Sequence, residues 1–354
     1  MSKYRQISRV MLNELYSMQA YGEKKSDYQE ETRQLREECK RDLLSRGYSQ
    51  QEANQAAMQI YTASDKVFCD GSMRTFEKGA RVFEKFCIDK FGTSHVSMDT
   101  ARESIQDFVY WCRDVKGYAD NTTHTHLAAV CKIFGEKMGD YDKPERCYAE
   151  NTRGRNGAIR DGFNAHRAAE SIDLNNTLGL RRDELARLKC SDVVFSADGN
   201  SGRVYTVGKG GKHNVNILLN REEVMKVQQY IDQARAAGRE YIFSKEQMNH
   251  DANLHKCRAD RASYLYEYVK KDVETNPSAR EYWQKEINRV FQENGRELRE
   301  DLDKPYIPRG KGRELLIEAG LPLEYDRTAL MASSVFCLNH FRSDVSFQNY
   351  IFGK

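Results

Sequence analysis

The sequence predicts a mostly α-helical protein with a small β-hairpin in its C-terminal half, an α+β arrangement. Apolar residues recur every three or four positions along most of the 354-residue chain, as they do on the buried face of a helix. The chain has only five prolines, so its helices have few interruptions. One stretch, 203–219, instead alternates apolar and polar residues on both sides of a glycine-rich turn, which predicts two paired strands.

The composition is that of a globular protein with about two domains, because domains commonly span ~100–200 residues. Hydrophobic residues make up 39% of the chain and charged residues 31%, enough of each to build cores and a charged surface. The 56 basic and 53 acidic residues leave a net charge of only +3. This balance permits a local basic surface for an anionic partner, but charge alone does not decide whether that partner is nucleic acid.

The nine cysteines are scattered without a Cys-x-x-Cys pair, and several fall at apolar positions of helical patterns. They therefore fit free thiols in a reducing compartment. The N-terminus lacks the apolar stretch of a signal peptide, and no apolar run reaches the length of a transmembrane helix. We expect a cytoplasmic protein with no membrane partner.

Residues 1–66 predict an N-terminal helical arm or a small helical domain. Three helical patterns follow one another, over 4–20, over 26–46 and from Ser49 to Ile60. Ser49 and Glu52 form a capping box at the start of the third. The apolar stripe of this region is as compatible with a partner subunit as with a core of its own.

Residues 67–140 predict a compact helical domain rich in aromatic side chains. Its helices are expected from about 73 to 90, from a capping box at Thr100–Glu103, and from Asp120 or Asn121 to near Gly139. A phosphate backbone can bind to its polar face, although a solvated surface is an equally good interpretation. The basic residues of that face are Lys78, Arg81, Lys85, Arg113 and Lys116.

Residues 141–158 lose all periodicity and gather proline, glycine and asparagine, so they predict an interdomain linker. Arg153 and Arg155 place basic charge there and are candidate DNA contacts, as is Lys212 further along the chain. The remaining residues, 159–354, form the second domain.

The second domain begins with a helical pattern over 164–190 and continues with the hairpin. Asn220 and Glu223 cap the next helix. Further helices are expected over 259–273, 278–299, 310–319 and 326–338. Ser343 then caps a short helix that carries Tyr350.

Arg181 and Lys209 are the first candidate functional residues. Arg181 follows Gly179-Leu180 at a helix start, where Glu184 can pair with it; on the surface such a pair contributes little. Lys209 lies in a Gly-Lys-Gly-Gly-Lys turn, from which a lysine can reach a nucleic-acid groove and deliver a proton, or simply be exposed. The turn is not a P-loop, because G-x-x-x-x-G-K-[ST] is absent.

The C-terminal part of the chain supplies the other candidates. The sequence Tyr306-Ile307-Pro308-Arg309 precedes a helix, and an anion bound at that helix end would explain the arginine. His340 and Tyr350 follow within about three helical turns. A tyrosine of ordinary pKa near ~10 is a poor nucleophile unless cations surround it, and the alternative for Tyr350 is a packed side chain.

Taken in order, these pieces resemble the tyrosine recombinase (phage integrase) family. The chain has Gly-Leu-Arg-x-x-Glu-Leu, a Gly-Lys-Gly hairpin, an arginine before a helix, Leu-x-His and a tyrosine near the C-terminus. The resemblance covers roughly 160–350, and residues 72–139 match the family's helical core-binding domain in placement and size. It implies a helical core-binding domain followed by a catalytic domain of the tyrosine recombinase kind.

The resemblance also implies a role for each matched residue. Two arginines clamp the scissile phosphate, a lysine protonates the leaving 5′-oxygen, a histidine bonds to the phosphate and a tyrosine is the nucleophile: these are Arg181 and Arg309, Lys209, His340 and Tyr350. Glu184 supports Arg181, and Asp192 closes the first motif.

Tyr306 departs from the family pattern. The family has His-x-x-Arg where this chain has Tyr306-x-x-Arg309. A tyrosine can donate a hydrogen bond to phosphate but cannot act as a base near neutral pH, so His340 becomes the better acceptor for the Tyr350 proton. Only four residues follow Tyr350, so exchange of a C-terminal helix between protomers is not expected, and the N-terminal arm is the substitute.

The implied activity is that of a site-specific recombinase or integrase of a mobile element or phage. It cleaves and rejoins double-stranded DNA through a 3′-phosphotyrosine, without ATP or metal, because two guanidinium groups and an imidazole stabilise the phosphate charge. The implied partners are DNA with inverted-repeat sites and further copies of the chain, a dimer to a tetramer, near the prokaryotic nucleoid. The alternatives are a type IB topoisomerase-like nicking and closing enzyme and a catalytically silent DNA-binding protein.

Overall fold

The computed structural model describes residues 5–145, 165–208, 212–250 and 252–351. The chain divides into two compact units, Met1–Arg146 and Cys147–Lys354. The described residues are mostly helical, with a three-stranded antiparallel sheet, so the predicted fold class is confirmed. None of the described helices is both long enough and apolar enough to cross a membrane.

The first unit is entirely helical within its described residues. Its helices are α1 (Ile7–Ser17), α2 (Lys25–Ser45), α3 (Gln50–Met58), α4 (Asp70–Phe91), α5 (Met98–Glu103), α6 (Ile105–Tyr110) and α7 (Asp120–Phe134), with a π-helix at Trp111–Val115 and a 3₁₀ turn at Met138–Asp140. The capping box predicted at Ser49 and Glu52 is present. The helix predicted from Thr100 instead starts at Met98, because Ser97 caps it.

Aromatic side chains from three helices form the core of the first unit. The ring of Phe83 on α4 lies 5.0 Å from that of Phe108 and 5.8 Å from that of Phe134, centroid to centroid. Ile7 and Met11 of α1 belong to the same buried cluster. The α1 helix therefore shares its core with α4 and α7, and the domain boundary at residue 66 stays a prediction.

The sheet of the second unit lies between two groups of helices along the chain. From residue 165 to the end of the first helix after the sheet, the elements are α8 (Ala165–Leu178), α9 (Arg182–Ala186), a 3₁₀ turn at Cys190–Asp192, β1 (Val193–Phe195), β2 (Gly202–Val207), β3 (His213–Leu218) and α10 (Arg221–Ala236). The strands pair in the order β1-β2-β3, with Tyr205 opposite Val215 in the predicted hairpin. β1 was not predicted, since three residues are too few for an alternating pattern.

The continuous helix expected over 164–190 is wrong. The chain leaves the α-helical conformation at Gly179, which has a φ of +67°. A Cβ atom at this position would lie 2.7 Å from the Sγ atom of Cys337, so the close approach of another segment also requires glycine. The break matters because it places Arg181 at the start of the separate helix α9.

The C-terminal helices surround one long helix, α11. They are α11 (Leu254–Thr275), α12 (Ala279–Glu293), α13 (Lys311–Glu318), α14 (Arg327–Ser333), a π-helix at Ser334–Leu338, α15 (Ser343–Ser346) and a terminal π-helix at Phe347–Ile351. The α11 helix starts before the predicted residue 259 and so includes His255 and Arg258. Ser343 is the first residue of α15 and not its cap, which is Arg342.

Candidate active site

Arg181 lies at the exposed edge of the second unit and is held by a buried carboxylate. It is the N-cap residue of α9, and its backbone N–H donates to Glu184 Oε2 at 2.9 Å. Its Nη1 atom donates to Glu184 Oε1 at 2.6 Å. The side chain of Arg181 is 37% exposed and that of Glu184 is 2% exposed. Glu184 thus fixes the orientation of the guanidinium, and its exposed part can bind an anion from solvent.

Arg258 is a second arginine on the other side of the same carboxylate. Its Nη1 atom lies 3.9 Å from Glu184 Oε2, and the side chain is only 1% exposed. This Nη1 atom donates to the carbonyl of Gly179 at 2.7 Å and to that of Cys337 at 3.0 Å. Its Nη2 atom donates to the carbonyl of Leu338. The buried guanidinium therefore joins the turn before Arg181 to the segment before His340.

The two arginines also share an acceptor. Arg181 Nη2 donates to the Leu338 carbonyl at 3.4 Å, the same oxygen that accepts from Arg258. One carboxylate and one carbonyl thus hold two cations close together. Such a pair concentrates positive potential at the point where the chain turns toward His340.

His255 precedes Arg258 by one helical turn. The sequence His255-Lys256-Cys257-Arg258 has the His-x-x-Arg spacing that is typical of the family, whereas the sequence resemblance placed that motif at Tyr306 and Arg309. Residues at i and i+3 lie on the same face of a helix. The signal was therefore present in the sequence, but the predicted start of the helix at 259 excluded both residues from it.

Tyr350 lies beside two imidazole rings. Its ring centroid is 5.5 Å from that of His255 and 6.0 Å from that of His340. The tyrosine is 6% exposed and sits on the terminal π-helix. Its backbone carbonyl accepts a hydrogen bond from Ser263 Oγ on α11 at 2.9 Å. The α11 helix thus holds the backbone of the tyrosine and also carries His255 and Arg258.

His340 is half-buried and strongly biased toward its neutral form. Burial, together with the charges of Arg258, Arg181, Lys212 and His255, lowers its pKa to about 3. A neutral imidazole can accept a proton from a phenol or donate a hydrogen bond to a phosphate oxygen. The Leu338 carbonyl to which both arginines donate lies two residues before His340.

Tyr306 and Arg309 belong to the segment between α12 and α13. The ring of Tyr306 packs 5.3 Å from that of Phe347, and burial raises its pKa to about 12. Arg309 is exposed in the loop before α13. Among the described residues, no hydrogen bond or ion pair joins either of them to Arg181 or Glu184. Their catalytic roles stay predictions.

The other predicted residues are placed as follows. Lys209, Arg153 and Arg155 lie outside the described residues. Asp192 Oδ2 accepts from the backbone N–H of Lys189 at 2.9 Å, which closes the turn into β1. Lys212 is exposed at the start of the β3 segment.

Three basic residues of the first unit share one exposed face of α4. Lys78, Arg81 and Lys85 are all exposed on α4, at positions that follow one side of the helix. By contrast, Arg113 pairs with Asp114 and Lys116 pairs with Asp89. The α4 face is therefore the better candidate for contact with phosphates.

Comparison with known proteins gave similarity to solved structures only. No protein-family model matches the chain. No curated protein matches it either.

The solved structures that the chain resembles include three recombinase structures. XerH bound to palindromic difH substrate, in a post-cleavage complex, is 12% identical, with a TM-score of 0.39 and coverage of 75% of this chain and 85% of that one. XerH bound to difH substrate before cleavage is 11% identical, with a TM-score of 0.40 and coverage of 97% and 90%. The XerA recombinase is 12% identical, with a TM-score of 0.22 and coverage of 57% and 81%.

Proposed function

We propose that this chain is a DNA strand-cleaving and rejoining enzyme, a tyrosine-type site-specific recombinase with Tyr350 as its nucleophile. The observation that carries the proposal is the position of the Tyr350 ring within 6.0 Å of two imidazoles, in the site that also holds two arginines. A phenol needs a proton acceptor and nearby cations to become nucleophilic. The site supplies both.

In the proposed reaction the Tyr350 oxygen attacks the phosphorus of a phosphodiester. The bond to the 5′-oxygen breaks, and the DNA strand stays joined to the enzyme through a 3′-phosphotyrosine. The phenolic proton passes to His255 or to His340, the two imidazoles beside the Tyr350 ring. The leaving 5′-oxygen takes a proton from a general acid, the role that the sequence resemblance gives to Lys209. Religation is the same step in reverse, so neither ATP nor an added metal is needed.

The two arginines would stabilise the negative charge that develops on the phosphate oxygens. Arg181 offers an exposed guanidinium, and we assign the second arginine's role to Arg258 in place of Arg309. The Nε atom of Arg258 is buried and has no hydrogen-bond partner among the described residues. A buried donor without an acceptor is costly, so a phosphate oxygen that accepts from it in the DNA complex would remove that cost. This orphan donor supports Arg258.

The partner is proposed to be double-stranded DNA, bound by several copies of the chain. The exposed α4 face with Lys78, Arg81 and Lys85 is suited to phosphate contacts that do not read sequence. Recombination between two duplexes requires at least one protomer at each cleavage point. A dimer to a tetramer on inverted-repeat sites, for a mobile element or phage, follows from that requirement and from the sequence resemblance.

The test is the formation of a covalent adduct on nicked suicide duplexes, which lose the cleaved fragment and trap the intermediate. A randomised duplex library is first enriched for sequences that bind the full-length protein, and those sequences are then nicked. The wild type should form an adduct that survives SDS, and Tyr350→Phe should form none. Tyr325→Phe is the matched control, because Tyr325 is another partly buried tyrosine that packs 4.5 Å from Phe347, in the same aromatic cluster.

Two other outcomes would redirect the proposal. If the wild type binds its selected duplexes but never forms an adduct, the chain is a DNA-binding protein and not an enzyme. If an adduct forms and supercoiled DNA is relaxed without exchange between paired sites, the activity is nicking and closing.

A further inference from the structure

The segment that carries His340 has an unusual backbone. Asn339 has a φ of +53° and Phe341 a φ of +55°, and these are the only non-glycine residues with positive φ in the described parts of the chain. His340 thus sits between two left-handed residues. Such conformations are costly for residues with a Cβ atom and persist where the surroundings determine them. The position of His340 is therefore imposed by contacts from other segments.

Packing holds the second of these residues. Phe341 is 3% exposed, and its ring meets that of Phe291 edge to face, with centroids 5.2 Å apart. The guanidinium of Arg296 lies over the same ring at 4.5 Å. These apolar and cation–π contacts fix the chain after His340.

A hydrogen bond between two buried amide side chains holds Asn339, the residue before His340. Asn339 Nδ2 donates to Asn216 Oδ1 at 3.3 Å, and Asn339 is 6% exposed. Asparagine is one of the few residues that tolerates the left-handed region, and here its side chain is tied to the middle of β3. The chain before His340 is thus fixed by a residue that is distant in sequence.

Asn216 connects this segment to the one that carries Arg181. It is 1% exposed, and its Nδ2 atom donates to the carbonyl of Leu178 at 2.8 Å and to that of Cys337 at 3.2 Å. Both N–H groups and the amide oxygen are therefore used. An apolar residue is the ordinary choice at a buried strand position, since a buried amide must be fully bonded to be tolerated.

We propose that Asn216 is a positioning residue that sets the distance between Arg181 and His340. Its three hydrogen bonds join β3, the turn that precedes Arg181 and the segment that precedes His340. The contribution of Asn216 to catalysis rests on the proposed function, whereas its control of the His340 segment does not. No direct contact of Asn216 with DNA is part of the proposal.

The first test uses no DNA. The imidazole of His340 is followed by NMR with ¹³C-labelled histidine, assigned by His340→Gln, in the full-length protein. Asn216→Ala should release the Asn339 segment and shift the titration of His340 toward that of a solvent-exposed histidine. Asn288→Ala is the matched control, because the Asn288 side chain also bonds to the main chain, at Arg299, with distances of 2.9 and 3.3 Å. That control should leave the titration of His340 unchanged.

The second test measures adduct formation on the nicked duplexes. Asn216→Ala should slow the covalent step by about 100-fold, the order of loss that a misplacement of ~1 Å produces, with DNA affinity retained. Adding Asn339→Gly should restore part of that rate, because glycine adopts a positive φ without a bond to hold it.

The outcomes separate this proposal from the proposed function. If the wild type forms no adduct, the function fails while the NMR titration still decides the role of Asn216. If Asn216→Ala leaves both the His340 titration and the adduct rate at wild-type values, the positioning role is wrong. Should Asn216→Ala fail to fold, Asn339→Ala removes the same amide–amide bond from the other side, and an unchanged His340 titration in that variant would overturn the proposal.

Discussion

The imidazole of His255 lies 5.5 Å from the ring of Tyr350, centroid to centroid. The two residues come from opposite ends of the C-terminal region, and α11 brings them together. The same helix bonds to the Tyr350 carbonyl through Ser263. Because one rigid element fixes both the imidazole and the tyrosine backbone, their separation does not depend on a flexible loop. This relationship gives the candidate nucleophile a nearby candidate base that is not among the residues predicted from the sequence.

The two histidines should differ in how much they contribute to proton transfer. We expect His255→Gln and His340→Gln each to slow adduct formation, by about 10²–10⁴-fold for the one that accepts the phenolic proton, since general-base catalysis is worth that much. Glutamine keeps hydrogen-bonding capacity but cannot take up a proton near neutral pH. The measurement is the single-turnover rate on nicked duplexes, with the exposed His95→Gln as control. Wild-type rates in both variants would rule out each histidine as the base.

Arg258 and Arg309 should have very different effects when replaced. Arg258→Ala removes one donor from each of three carbonyls and a buried cation from beside Glu184, so we expect a loss of about 3–5 kcal/mol in the free energy of unfolding. Arg309→Ala removes an exposed side chain, and the change should stay within about 0.5 kcal/mol. Urea denaturation measures both.

Substitutions at Arg258 and Arg309 also test which of the two is the second catalytic arginine. Arg258→Lys keeps the charge with less disruption and should still lose most adduct formation, because lysine cannot reproduce the fork of donors. Arg309→Ala should retain it. The opposite pattern, with activity lost only at Arg309, would return the role to Tyr306-x-x-Arg309 and leave Arg258 as a structural residue.

The stability of the protein should fall in acid through His340. Its folded pKa is about 3, below the ordinary value of 6.5, so between these limits the unfolded chain binds a proton that the folded one does not. This contribution to stability is complete above pH 6.5 and decreases as the pH falls toward 3. At pH 5 the loss relative to pH 7 is about 2 kcal/mol, since one pKa unit corresponds to 1.36 kcal/mol.

The check is the pH dependence of unfolding in the wild type and in His340→Gln. The difference between the two curves isolates this histidine from others, such as His126, whose pKa burial also lowers. The variant should lose less stability than the wild type between pH 7 and pH 5. Parallel curves would mean that His340 is not buried in its neutral form in solution.

Alanine substitution at Gly179 tests the tight turn before Arg181, and Gly238, which follows α10, is the matched control position. Both have positive φ, +67° and +66°, so alanine at either should cost about 1–2 kcal/mol from the backbone conformation alone. At Gly179 the added Cβ also meets Cys337 Sγ at 2.7 Å, whereas nothing lies within 4 Å at Gly238. Gly179→Ala should therefore lose about 1–3 kcal/mol more, the usual cost of overpacking. Equal losses by thermal or urea unfolding would contradict the close approach of the two segments.

The basic face of α4 should contribute to DNA affinity in a salt-dependent way. If Lys78, Arg81 and Lys85 each neutralise one phosphate, replacing all three with alanine should reduce the slope of log K against log [salt] by about 0.9 per contact. Fluorescence anisotropy with a random duplex measures it. Lys285→Ala, at an exposed position on α12, serves as a comparison. An unchanged slope in the triple variant would remove this face from the proposed interface.

Several elements followed from the sequence because local physical chemistry determines them. The Ser49–Glu52 capping box and the β-hairpin depend on residues that are close in the chain, and both are present in the structure. Helices α2 and α4 also agree with the predicted stripes to within a few residues. Errors appeared where a distant segment decides the outcome. The turn at Gly179 lies against Cys337, which leaves no space for a Cβ atom, and the early start of α11 includes Arg258, whose partners are the carbonyls of Gly179 and Leu338.

The sequence by itself determined the fold class, the pairing of Arg181 with Glu184 and the candidate nucleophile Tyr350. The fold class and the ion pair depend on periodicity and on spacings of a few residues, which a single helical turn converts into contacts. The role of Tyr350 comes from the resemblance to the tyrosine recombinase family. Only the tertiary structure placed Arg258 beside the Arg181–Glu184 pair and His255 beside Tyr350. Those placements depend on buried hydrogen bonds between segments far apart in the chain, such as those of Arg258 and Asn216. The donors of a buried guanidinium or amide must bond to acceptors, and here these are carbonyls of segments that the fold brings together. The spacing of residues in the sequence does not indicate which segments those are.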